Sequence, residues 1–192
     1  AILLQNNNDV LPLKSAKRIL VTGPMADAPY DQLGTWAFDG EEAYTVTPLT
    51  ALRKDYEVVY EPALAYSRDA STAGIPAAVA AARGVDAVVA FVGEEAILSG
   101  EAHSLSQINL QGAQSELIKA LKATGKPVVV VVIAGRNLTI ERDLENCDAM
   151  LYSFHPGTMG GEALADLITG RAVPSGKSPV TFLRDAGQAP FY

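Results

Sequence analysis

One run, Pro127-Val128-Val129-Val130-Val131-Val132-Ile133-Ala134, constrains this chain more than any other stretch. A strand with one wet face alternates apolar and polar residues; this run does not, so both of its faces must be covered. Side chains branched at Cβ favour the pleated conformation over a helix. The run therefore reads as a central strand of a parallel sheet with helices on either side. It is the longest apolar run in the chain and falls far short of the roughly 20 residues that cross a bilayer, so no transmembrane segment is expected.

The flanking sequence supplies the remaining layers. Arg18-Ile19-Leu20-Val21-Thr22 is a first strand ended by Gly23-Pro24, because proline lacks the ladder donor. A long loop follows, closed by Thr47-Pro48, a cap and first-turn pair for a helix over Leu49 to Lys54. Glu57-Val58-Val59-Tyr60 is a second strand, and Ile75 to Arg83 an alanine-rich helix stopped by Gly84. The apolar Ala87-Val88-Val89-Ala90-Phe91-Val92 is a third. Leu117, Ala120, Leu121 and Thr124 recur at helical spacing before the valine strand. A fifth strand over Ala149 to Phe154 and a helix over Glu162 to Thr169 follow, and Pro179-Val180-Thr181-Phe182 is expected as an edge strand. This alternation predicts a three-layer α/β/α sandwich with a mostly parallel sheet of about six strands. A chain of 192 residues suffices for one such domain, removing roughly 70% of its unfolded surface from water. It opens apolar, at Ala1-Ile2-Leu3-Leu4, with neither Met nor a basic leader. Residues 1–192 are therefore read as a single sandwich domain, a fragment of something longer.

Charge narrows the partners. With 22 acidic against 15 basic residues the formal net charge is −7, which argues against nucleic acid or an anionic membrane, since phosphate binding needs a concentrated basic surface. Cys147 is the single cysteine, so neither an intramolecular disulfide nor a thiolate metal cluster can form within the chain. The two histidines, His103 and His155, sit on different loops without other His or Cys nearby, and each reads as a surface or hydrogen-bonded loop residue rather than a zinc ligand. The turn after the first strand, Gly23-Pro24-Met25-Ala26-Asp27, carries neither glycine-rich phosphate signature. Ser99, in Leu98-Ser99-Gly100, does not match the nucleophile elbow of a serine hydrolase. No cofactor and no metal are expected.

Carboxylates remain. Glu94, Glu95 and Glu101 lie in the loop Gly93 to Leu110, directly after an apolar strand, and ligands of open α/β sheets bind outside the strands' carboxyl ends. By residue type alone the three also fit a solvated acidic loop face. Their surroundings single one out. Leu98-Ser99-Gly100-Glu101-Ala102-His103-Ser104, followed by Asn109-Leu110-Gln111-Gly112-Ala113-Gln114, resembles the acid/base loop of glycoside hydrolase family 3 β-glucosidases. Leu3 to Asn6 through Leu11-Pro12-Leu13 resembles the family's interdomain segment, and Ile19 to Pro24 with Asp27 its next strand. Phe154-His155-Pro156-Gly157 through Gly160-Gly161, then Pro174 to Phe182, resembles its late signature. Leu105, Met159, Ser178 and Leu183 depart from the pattern, where Arg, an acidic residue, Leu and Pro are common.

The resemblance covers nearly the whole chain. It implies the second domain of such an enzyme, a six-stranded sandwich packed on a (β/α)8 barrel that carries the aspartate nucleophile and most sugar contacts. It also implies that Glu101 is the general acid/base for hydrolysis of terminal β-linked sugars in a glycoside or oligosaccharide. The Ser99-Gly100 pair is expected to let the loop reach across. Trp36, Asp39 and His103 are candidates for a leaving-group subsite, and Glu95 is the rival acid if the loop registers differently. The family's habit implies a periplasmic or extracellular enzyme, inactive as this domain alone. The alternative is a non-catalytic carbohydrate-binding or interaction module of the same fold.

Overall fold

The computed structural model describes residues 1–188. Its centre is a six-stranded sheet of β1 (Ile2–Asn6), β2 (Arg18–Thr22), β3 (Glu57–Glu61), β4 (Ala87–Gly93), β5 (Val128–Ile133) and β6 (Ala149–Tyr152). The spatial order is β1-β6-β5-β4-β2-β3; all neighbours are parallel except β1 on β6. The helices are α1 (Pro29–Leu33), α2 (Pro48–Leu52), α3 (Ile75–Ala82), α4 (Gln114–Lys122), α5 (Glu141–Leu144) and α6 (Gly160–Thr169).

The valine run is the core of the sandwich, as its lack of alternation requires. Every residue of β5 is fully buried, and alternate side chains serve different layers. Val128, Val130 and Val132 pack with α3 and α4 through Ala78, Leu117 and Leu121. Val129, Val131 and Ile133 pack with α2 and α6 through Leu49, Leu52 and Ile168. The period-two geometry of a strand thus splits one homogeneous run between two cores. At the start of α2 the Thr47 hydroxyl accepts the Thr50 amide at 3.3 Å, and Pro48 occupies the first turn, as the sequence predicts.

The sixth strand is not where the sequence places it. Pro179 to Phe182 forms no strand; the edge next to β6 is already occupied by β1, whose Ile2 and Leu3 pair with Tyr152 and Leu151. With no free edge there, the tail is held by side chains. Asn137 donates to the Thr181 carbonyl at 2.6 Å, and the Phe182 ring packs edge-on against Tyr152 at 4.9 Å.

Two connections leave the middle of the sheet in opposite directions. The chain goes from β2 outward to β3, and from β4 the other way to β5. Such a reversal opens a crevice at the strands' carboxyl ends, walled by the loops that follow them. Here those walls are the Gly23–Val46 segment and the Gly93–Leu110 loop. The approach of β4 to β5 is close enough that a Cβ on Gly93 (φ +146°) would fall 1.7 Å from the Ile133 carbonyl oxygen, so only glycine fits.

Candidate active site

The acidic loop begins where β4 ends, and its first residues are fixed in place. The buried Gln114 side chain closes the strand: its Oε1 accepts the Gly93 amide at 2.8 Å, while its Nε2 donates to the carbonyls of Gly93 at 2.9 Å and Ser67 at 2.8 Å. One side chain thereby satisfies backbone groups that the ladder leaves over at its end.

The carboxylates of the loop then part company. Glu94 is 1% exposed and accepts Arg136 Nε at 3.1 Å on Oε2; its Oε1 is buried without a partner. Burial pushes its carboxyl above the ordinary range, against the opposing pull of Arg136. Glu95 is gripped by the Arg68 guanidinium through two bonds of 3.2 Å and by the Ser67 hydroxyl at 2.7 Å. Partial burial raises its pKa, but these donors outweigh that and hold the carboxyl below its usual range. A group held ionised is a poor proton donor, so Glu95 does not suit the role of rival acid. Neither residue is a solvated face. Glu101 differs from both: it is exposed, at the outer turn of the loop.

The root of the turn is pinned from three directions. Asp31, in α1, accepts the Ala96 amide at 2.8 Å, and burial raises its carboxyl. The Thr35 hydroxyl lies 3.0 Å from both the Ser99 carbonyl and the Ser99 hydroxyl, and donates also to the Ala96 carbonyl. His155 completes the contact. Its Nδ1 faces the Asp31 carbonyl at 3.2 Å and its Nε2 the Ser99 hydroxyl at 3.3 Å. A carbonyl only accepts, so we assign the proton to Nδ1 and leave Nε2 to accept from Ser99. Burial keeps this imidazole's pKa below its ordinary value. The expected hydrogen-bonded role of His155 holds, while the expected freedom at Ser99 does not: Ser99 is buried, and the exposed Gly100 (φ +103°) follows it.

The candidate subsite residues fall unevenly. A Cβ on Gly100 would lie 3.4 Å from the Trp36 ring, which sets the indole beside the residue preceding Glu101. Trp36 is 56% exposed and meets Phe38 edge-on at 5.9 Å. His103 Nδ1 donates to the Glu101 carbonyl at 2.9 Å, turning the imidazole back across the turn. Trp36, Glu101 and His103 therefore share one exposed corner. Asp39 is exposed, and among the described residues no hydrogen bond joins its side chain to that corner. Sequence reasoning missed Arg136, Thr35 and Asp31, which hold the loop from other segments. Among the described residues no three His, Cys, Asp or Glu side chains converge as a metal site, and no helix is long and apolar enough to cross a membrane.

Comparison with known proteins gives this geometry a family. The model of the glycosyl hydrolase family 3 C-terminal domain matches residues 1–192. A periplasmic beta-glucosidase of Salmonella typhimurium is 37% identical over all of this chain, and a beta-xylosidase of Formosa agariphila 36% identical over 98% of it. The chain spans 28% and 27% of those proteins, about a quarter of their length. The crystal structure of a beta-glucosidase from Listeria innocua in complex with isofagomine superposes with a TM-score of 0.94 at 38% identity, covering all of this chain and 26% of that one.

Proposed function

We propose, from the premise that this chain belongs to the glycosyl hydrolase family 3 C-terminal domain family, that it is the sandwich domain of a retaining β-glycosidase and delivers Glu101 as general acid/base. The observation carrying this reading is the division of labour in one loop: Glu94 and Glu95 are tied to arginines, while Glu101 alone is presented outward on a pinned root.

Retaining hydrolysis needs two carboxyl groups about 5 to 5.5 Å apart, one attacking the anomeric carbon and the other protonating the leaving oxygen, then activating water. Glu101 takes the second part, and the nucleophile comes from another domain of the same protein, the (β/α)8 barrel of the family resemblance. Packed beside that nucleophile in a closing cleft, the Glu101 carboxyl would be the group that hands a proton to the leaving oxygen and later takes one from water. Trp36 and His103, beside it, line the leaving-group side. The substrate is a glycoside or oligosaccharide with a terminal β-linked sugar, in keeping with the names of the β-glucosidase and β-xylosidase relatives. The periplasmic relative supports a periplasmic or extracellular setting.

Glu101→Gln in the full-length enzyme tests the assignment. General acid/base groups contribute about 10²- to 10⁴-fold in rate, and a loss of that size is expected on a β-glucoside with a poor leaving group. Normal turnover on that substrate overturns it.

A further inference from the structure

The Arg136 side chain comes from the turn after β5, yet its contacts are in the loop after β4. Its Nε donates to the buried Glu94 carboxylate at 3.1 Å. Its Nη2 donates to the Leu98 carbonyl and reaches the His103 carbonyl at 3.3 Å. Leu98 and His103 bracket the turn that carries Glu101, and His103 in turn donates to the Glu101 carbonyl at 2.9 Å. One guanidinium therefore ties both legs of the turn to a carboxylate rooted at the end of a core strand. The guanidinium makes this contact from two atoms held in one plane, Nε to the carboxylate and Nη2 to both carbonyls, whereas an ammonium carries its three donors on a single nitrogen. Arg136 is only 20% exposed and Glu94 1%, so water competes weakly for these bonds.

We propose that Arg136 is a positioning residue for the reaction: it fixes the height and orientation of the Glu101 turn, and with it the proton donor's distance from the leaving oxygen. This rests on Glu101 being the general acid/base. Displacement of about 1 Å in a catalytic group costs on the order of 100-fold when the barrier depends on its alignment. Steps that do not need the proton should be spared, which separates positioning from general loss of structure.

The experiment uses the full-length enzyme with two β-glucosides, 2,4-dinitrophenyl glucoside, whose leaving group departs without protonation, and methyl glucoside, whose leaving group needs it. Arg136→Lys keeps a cation beside Glu94 but gives up the fork. It is expected to lower kcat/KM on the methyl glucoside at least tenfold and on the dinitrophenyl glucoside less than threefold. In a Glu101→Ala background the same change is expected to add less than twofold on either substrate, because nothing remains to position. Equal losses on both substrates, or an undiminished loss in the Glu101→Ala background, overturn the proposal. Should Arg136→Lys fail to fold, the paired Glu94→Gln/Arg136→Met variant, which removes both buried charges together, is read by the same criteria. Full activity of Glu101→Ala on the methyl glucoside would instead refute the acid/base assignment itself, and this inference with it.

Discussion

Glu94, Glu95 and Glu101 are chemically one residue type within eight positions, and their partners decide what each does. Glu94 and Glu95 are paired with Arg136 and Arg68 from outside the loop. No periodicity or spacing announces those pairs, because they form between segments about 27 and 42 residues apart. Residue type therefore left all three open, and the local motif alone singled out Glu101. His155 carries a testable consequence of the same kind. Its buried imidazole has a pKa below the ordinary 6.5, so between the two values the unfolded chain binds a proton that the folded one refuses. Stability from this residue is present above about pH 6.5 and lost as pH falls toward the folded pKa. Urea unfolding of wild type and His155→Gln between pH 5 and 8 should show a steeper loss below pH 6.5 in wild type. Parallel curves would contradict that reading. Taking the difference between proteins removes Asp31, Glu94 and Asp143, whose burial-raised carboxyls have the opposite sign.

At the scale of elements, strands with one dominant pattern were legible and contested edges were not. β5 and β4 announce themselves because both faces are apolar. The choice between Ile2–Asn6 and Pro179–Phe182 for the edge beside β6 is a competition in space, and the sequence of neither segment contains the answer. The short α1 and α5 escaped because helices of one turn have too few residues to show a period. The end of β4 depends on Gln114, whose side chain stands in for ladder partners of Gly93. Gln114→Ala orphans buried backbone groups at about 1–3 kcal/mol each. For a domain of this size about 1 kcal/mol moves Tm by roughly 2–4 °C, so a fall of at least about 3 °C is expected by calorimetry. An unchanged Tm would mean that water or a relaxed backbone replaces the side chain.

For the whole molecule, the two cores on either side of the sheet are built from this chain's own residues, which is the basis for expecting the domain to fold alone. On the proposed function its chemistry does not follow suit, because Glu101 would supply one of the two required carboxyl groups and another domain the second. The purified 192-residue chain is expected to unfold cooperatively in urea and to show no turnover of aryl β-glucosides. Measurable turnover by the domain would mean that its own residues supply a nucleophile. Around the Glu101 corner Trp36, Phe38 and Ile97 stay exposed; of these three the sequence singled out only Trp36, alongside Asp39 and His103, because proximity to Gly100 is a property of the folded loops.

The role of Glu101 is tested most directly by adding azide to the full-length Glu101→Ala enzyme acting on 2,4-dinitrophenyl β-glucoside. Removal of a general base stalls attack by water on the glycosyl-enzyme, while a small anion needs no base and fits the space the side chain vacates. Turnover should rise with azide concentration, and the product should be the β-glucosyl azide, with configuration retained. Turnover indifferent to azide, or an α-glucosyl azide as product, would contradict the assignment, the latter because it marks loss of the nucleophile instead.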